Sequence, residues 1–261
     1  MAEEKYDLEG ESGIKIEKGR FATWLENFWY HYKWHSIVTL FIILVVTICT
    51  VQMCKKEEYD VHFIYAGSEQ IRGVKTEGDL SLYQTISKSL NEAAEDFDEN
   101  GEITSSFEPL YMLTADEIAA IEKEIADKKA NGEGSYTLNY AQLTENEAAF
   151  SERMTYSDTY VFLLSESVYK SYQSTEHDIP VFSSLKELVN AGAEVEFLDD
   201  YAVYLHSTEF GKLPGLSELP EDTVIALRSV NALSSHFDKE KTVELYENAK
   251  VVVKNMLNYG N

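Results

Sequence analysis

Cysteine is close to absent from this chain. The only two, Cys49 and Cys54, lie inside or at the end of a single apolar run. The long C-terminal part therefore carries no thiol, which excludes an internal disulfide there and any cysteine-ligated metal centre. Positive charge is scarce as well: 22 Lys and Arg stand against 46 Asp and Glu, a formal charge of −24. Residues 1–54 hold five basic and seven acidic side chains, and residues 55–261 hold 17 and 39. A surface this acidic repels phosphate backbones, so nucleic acid is not an expected partner, and the charge keeps an exposed domain soluble.

Catalytic signatures are missing too. No G-x-S-x-G, HExxH, CxxC, Walker loop or G-x-G-x-x-G occurs. The six histidines (His31, His35, His62, His177, His206 and His236) show no ligand spacing; His31 and His35 are four apart but flank the apolar run. His62, in mid-strand, reads as a core or surface histidine. Asp199-Asp200 and Glu221-Asp222 read as turn and cap residues. A non-enzyme with no cofactor is the expectation.

What is present begins with a membrane segment. Residues 37–54, IVTLFIILVVTICTVQMC, contain no charge, and 21 residues separate Lys33 from Lys55. As a helix they would span about 31 Å, the thickness of a bilayer core. Seven of the fourteen residues of FATWLENFWYHYKW (21–34) are aromatic, and all three tryptophans lie there. Trp24, Trp29, Tyr30, Tyr32 and Trp34 are expected as interface anchors, since their rings are apolar and their N–H or O–H seeks water. Helical spacing of Phe21, Trp24, Leu25, Phe28 and Tyr32 suggests a segment lying along the interface before the chain turns inward. The run is too long, and begins too late, for a cleaved signal peptide, so an uncleaved signal-anchor is expected. The lipid bilayer is thus one partner. The resulting organisation is an N-terminal tail with an aromatic segment (1–35), a spanning helix (36–54) and an α/β domain (57–261).

In that domain YDVHFIYAG (59–67) alternates as a strand does, and DTYVFLLS (158–165) is a continuous apolar run, as in a central strand covered on both faces. Residues 103–112, 201–205 and 223–230 are further strands. Helices are expected from Leu80 with Asp79 as cap, after the Thr114/Glu117 capping box, after a second such box at Thr144/Glu147 (148–154), at 168–172 and 185–189, and after Asp238. The fold class is α/β: a mixed, mostly parallel sheet flanked by helices, preceded by one transmembrane helix. The polar stretch 132–139 is the expected mobile loop.

DFDENGEITSSFE (96–108) nearly spells a calcium loop. In an EF-hand, position 12 must be a bidentate Glu; counted from Asp96 it is Phe107, and the following segment reads as a strand. An EF-hand is excluded. A different calcium turn, with Asp96, Asp98, Asn100 and the Glu102 carbonyl as ligands, stands against a plain helix end and Asn-Gly turn, in which Asn100 and Gly101 supply the positive φ. The plain turn is the simpler reading.

The order YDVHFIYAG, DENGEI, DTYVFLLSESVYKSY, VFSSLKEL, YAVYLHSTEFGKLPGL, TVIALRSV and KEKTVELYENAKVVVKNML is similar to one lobe of the extracellular solute-binding proteins of ABC importers, especially their small membrane-anchored relatives. The resemblance spans residues 59–257 and implies an outward-facing domain. Basic residues are tied, four on each flank of the spanning run, so a cytoplasmic N-terminus and an extracytoplasmic domain in the cell membrane rest on this resemblance. About 200 residues are too few for two lobes, and a helix stands where a lipidated cysteine is usual. A non-catalytic interaction module with a protein partner in the membrane or envelope, such as a transporter, is therefore the first expectation. A one-lobe solute or calcium receptor is the second, with Ser68, Ser165, Glu166 and Ser207 at strand ends as ligand-binding candidates.

Overall fold

The computed structural model describes residues 20–54, 59–71, 81–134, 136–156, 158–173, 180–230 and 239–260. The chain divides into two compact units, residues 1–58 and 59–261.

In the first unit one helix, α1 (Arg20–Cys54), runs for 35 residues. At 1.5 Å per residue this is about 52 Å, far more than a bilayer core. The stretch that is long and apolar enough to cross a membrane is Phe28–Thr50, 23 residues with a mean hydropathy of 1.8. The aromatic segment does not turn off along an interface as expected: it continues the same helix. The reason is compositional, since residues 20–54 contain neither Gly nor Pro to break the hydrogen-bond ladder. Rings four apart stack along it, Trp24 on Phe28 at 5.6 Å and Phe28 on Tyr32 at 5.3 Å. Further along, Thr47 and Thr50 return their hydroxyl protons to the carbonyls of Ile43 and Val46, so neither needs water.

The second unit is a six-stranded sheet with helices on both faces. Its strands are β1 (Val61–Gly67), β2 (Ser105–Tyr111), β3 (Val161–Ser165), β4 (Phe197–Asp199), β5 (Ala202–Tyr204) and β6 (Thr223–Leu227). The order is β2-β1-β3-β6-β5-β4. β2, β1 and β3 run parallel, whereas the three remaining pairings are antiparallel. The sheet is therefore mixed, and not mostly parallel. Parallel neighbours need a long crossover, which α2 (Leu82–Leu90) supplies between β1 and β2, and α3 (Ala115–Ala130) with α4 (Tyr140–Tyr156) between β2 and β3. No such crossover joins β4 to β5, whose two-residue link forces a hairpin; Asp199 Oδ1 closes it by accepting from Tyr201 N at 2.8 Å.

Side-chain alternation builds two cores. Phe63, Tyr65, Val161, Leu163, Ile225 and Leu227 face α2 and α6 (Lys239–Leu257), where Ile86, Leu90, Val252, Val253 and Met256 meet them. Ile64, Ala66, Phe162, Leu164, Val224 and Ala226 face α4 and α5 (Glu166–Tyr172) through Phe150, Val168 and Tyr169. All five residues of β3 are buried, as its apolar run implies.

Helix starts differ from expectation in two places. Asp79 lies outside the described residues, and the cap of α2 is Ser81, in a capping box with Gln84. Thr144 and Glu147 are interior to α4, which begins a turn earlier, where Asn139 Oδ1 accepts from Gln142 N at 3.2 Å. The Thr114/Glu117 box does start α3. Yet α3 has no buried residue: Ile118, Ile121 and Ile125 are only half covered.

Candidate functional site

The C-terminal ends of β1 and β3 form the natural place for a ligand. The crossover after β1 passes to β2 on one side, while β3 lies on the other, so the strand order reverses there and a crevice can open. Gly67 ends β1 at this point. A side chain on it would put a Cβ 2.7 Å from Tyr65 Oη and 3.2 Å from Ser165 Cβ, so glycine is required by close approach. Ser68 follows and is exposed.

Ser165 and Glu166 join Ser68 at this edge, each already engaged. Ser165 is the N-cap of α5, accepting from Val168 N at 3.4 Å, and its Oγ lies 3.0 Å from Ser167 Oγ. Ser167 donates to Glu117 Oε1 at 3.0 Å, and the other Glu117 oxygen accepts from the Thr114 N–H and hydroxyl. Glu166 accepts from Lys170 and from Tyr204 Oη, the latter at 2.7 Å. Lys170 first and Tyr204 second hold the Glu166 carboxyl below its usual range. In return Glu166 pushes the Tyr204 phenol up to about 12. Burial, followed by the charges of Glu117 and Glu166, raises Asp222. Burial above all raises Tyr65, with Asp222, Glu69 and Glu117 adding to it. The edge is thus a crowd of carboxylates and hydroxyls that favours a cation or a hydrogen-bond donor. Ser207 does not belong to it: its hydroxyl donates to Tyr204 O at 2.7 Å and accepts from Glu196 N at 2.9 Å, tying down the β4–β5 ribbon.

Beside this edge a cleft of about 430 Å³ lies between α3, α4 and α5. Its lining is mixed: Met112, Ile118, Leu143 and Val168 are apolar, Tyr140 and Tyr172 aromatic, and Thr114, Thr144, Glu147 and Ser171 polar. Sequence reasoning did not find it, because its walls come from three helices. Of the isoleucine stripe of α3, only Ile118 lines it.

The acidic turn is organised around a residue the sequence did not single out, Asp60. This side chain is only 6% exposed. Its Oδ1 accepts from Phe97 N at 2.8 Å, and its Oδ2 accepts from Thr104 N at 2.8 Å. Asp96 accepts from the N–H groups of Asn100 and Gly101, and Asp98 accepts from Asn100 N. Oxygens of Asp60, Asp96 and Asp98 come within 4.8 Å of one another, so these three carboxylates are what could hold a metal ion. Asn100 Oδ1 is turned to Glu102 N at 2.8 Å, and Glu102 supplies no carboxylate to the group. The backbone differs from expectation: the positive φ values are at Glu99 and Gly101, not at Asn100, and α2 has ended at Leu90, before the turn begins. Asn100 instead braces the loop from within, donating to Asp98 Oδ2 at 2.7 Å.

The five aromatic residues expected as interface anchors, Trp24, Trp29, Tyr30, Tyr32 and Trp34, are all exposed, from 53% at Tyr32 to 78% at Tyr30. Trp29, Tyr30, Tyr32 and Trp34 fall inside the stretch that is long and apolar enough to cross a membrane, rather than before it, and Trp24 precedes it.

Fold and site together define an α/β unit with a mixed six-stranded sheet, joined to one helix able to cross a membrane. No protein family, curated protein or solved structure matches the chain.

Proposed function

We propose that this is a single-pass membrane protein with its N-terminus in the cytoplasm, whose extracytoplasmic α/β unit is a non-catalytic interaction module. The observation that carries this reading is the cleft between α3, α4 and α5, part apolar and part polar, bordered by a helix that buries none of its own residues. A half-covered isoleucine, Ile118, with Tyr140 and Tyr172 in the cleft wall, matches the anchor pockets through which protein partners dock. The partner is a protein of the same membrane or envelope, and a transporter, with this chain as its accessory subunit, suits the membrane-crossing helix. Ile118→Lys places a charge in the cleft at a half-exposed position. Co-purification of the full-length protein from its native membranes should then lose the stoichiometric partner that the parent protein retains. Equal recovery by both proteins would dismiss the reading.

A second reading, a one-lobe solute receptor of the solute-binding kind, has one observation in its favour. Thr223 sits opposite Ser165 at the sheet edge, and its hydroxyl is buried without a hydrogen-bond partner. A solute accepting from that hydroxyl would raise the melting temperature of the parent protein but not of Thr223→Val. A screen in which no solute separates the two would set this reading aside.

A further inference from the structure

At the opposite end of the sheet a notch lies beside β1. The β1–β3 ladder begins only at Phe63↔Val161, whereas Val61 and His62 are already paired with Ser105 and Ser106 of β2. A cleft of about 300 Å³ opens there, lined by His62, Ser106, Glu108, Arg153, Asp158 and Thr159. His62 and Ser106 face each other across a parallel ladder, so their side chains leave the sheet on the same face. Glu108 follows Ser106 on that face and accepts from Arg153 of α4 through both carboxylate oxygens, at 2.9 and 3.4 Å. This pair neutralises itself.

Thr159 is buried and engaged as well; His62, Ser106 and Asp158 are not so held. Among the described residues the His62 ring nitrogens, the Ser106 hydroxyl oxygen and the Asp158 carboxylate have no hydrogen-bond partner. His62 and Ser106 are half-buried and Asp158 is exposed, so three polar side chains from three places in the chain line one cleft where water, or a ligand in its place, can reach them. The Asp158 charge also bears on His62 and on Arg228. Burial holds the His62 pKa below its ordinary value. Asp158 and Glu108 pull it back up, and Arg153 pushes it further down. The ring is therefore neutral at pH 7 and keeps a lone pair. Each of the three groups can accept, and the complement of three acceptors is a group with three donors and no acceptor, which describes a primary ammonium.

We infer that this notch binds a small organic cation through its primary ammonium group, held by the Asp158 carboxylate, the Ser106 hydroxyl and a His62 ring nitrogen. A volume of about 300 Å³ lies at the lower end of ligand sites, enough for a short aliphatic chain. The negative charge of the domain concentrates cations around it. Serine, histidine and aspartate also serve in nucleophilic catalysis, but that use needs them hydrogen-bonded in series, and none of those bonds is present here. The inference stands apart from the docking cleft, which takes Tyr140, Leu143 and Glu147 from the first half of α4, whereas the notch takes Arg153 from its last turn.

The test is titration of the full-length protein in mild detergent with 1,4-diaminobutane, following the His62 imidazole resonance, assigned by its loss in His62→Gln. The neutral isostere 1,4-butanediol is titrated in parallel. A saturable shift with the diamine and none with the diol is expected. Asp158→Asn should weaken binding about tenfold or more, as removal of a charged hydrogen-bond partner does. Ser106→Ala should weaken it less. Asp200→Asn, an exposed carboxylate elsewhere, should change nothing. Affinity should also fall as the pH drops below the His62 pKa, because an imidazolium cannot accept. A linear, unsaturable shift, an equal response to the diol, or equal losses in Asp158→Asn and Asp200→Asn would overturn the inference.

Discussion

Removing the Asp60 carboxylate tests how the acidic turn is held. Asp60 accepts from Phe97 N and Thr104 N, both at 2.8 Å, and more weakly from Asp98 N at 3.4 Å. Its own N–H donates to Thr104 O at 2.9 Å, so backbone and side chain together clamp both ends of the turn to the start of β1. Hydrogen bonds to a charged acceptor contribute about 1.5–3 kcal/mol each. Asp60→Ala loses two good ones, and water reaches only part of the gap, so a cost of about 3 kcal/mol is expected. At about 2–4 °C per kcal/mol for a chain of this size, the melting temperature of the full-length protein in detergent should fall by roughly 6–12 °C. Asp98→Ala should cost less than about 1 kcal/mol, because that exposed side chain bonds only within the turn. Both penalties should be the same in calcium and in chelator, since backbone N–H groups, rather than an ion, satisfy these carboxylates. The assay is thermal and urea unfolding followed by circular dichroism. An Asp60→Ala protein within 1 kcal/mol of the parent, or a penalty appearing only with calcium, would refute the reasoning.

Three further outcomes follow from the same geometry. Phe162, fully buried on β3 against Phe150 at 5.9 Å between ring centroids, should cost about 3–5 kcal/mol as Phe162→Ala, measured by urea unfolding. Gly67→Ala should cost about 1–3 kcal/mol because its methyl meets Tyr65 Oη at 2.7 Å, and Tyr65→Phe, which deletes that oxygen, should recover part of the loss in the double variant. His62 has a folded pKa below the ordinary 6.5, so the unfolded chain binds the proton more tightly. Its contribution is fully present above pH 6.5 and is lost as pH falls through the folded pKa; the pH dependence of stability below 6.5 should flatten in His62→Gln.

How much of this was legible in the sequence depended on how local the signal was. DTYVFLLS named a strand covered on both faces because five consecutive apolar residues fit few other places, and Thr114/Glu117 named the start of α3 because a capping box is complete within four residues. Ser81-Leu-Tyr-Gln84 was an equally complete box, passed over for an acidic residue two positions earlier. Thr144/Glu147 had the right spacing but lay inside a helix whose buried face, Leu143 and Phe150, sets its true extent. β4 has three residues, too few for any period to show. The antiparallel half of the sheet was hidden because the β4–β5 link is only two residues long and β4 itself went unseen. Asp60 was invisible as the anchor of the acidic turn, since its partner Phe97 is 37 positions away. The candidate edge residues were found by a rule about strand ends. That rule cannot tell Ser207, which ties down a ribbon, from Ser68, which stands exposed. The two clefts were beyond reach because each draws its walls from segments distant in sequence.

The central claim is that the cleft between α3, α4 and α5 receives a protein partner. Tyr140 lines it at 49% exposure, and Tyr156, 62% exposed at the far end of the same helix, is not among its lining residues. A photo-crosslinking side chain placed by Tyr140→p-benzoylphenylalanine in the full-length protein, irradiated in its native membranes, should yield one dominant protein adduct that Tyr156→p-benzoylphenylalanine does not. Equal adducts from both positions, or none from Tyr140, would contradict it.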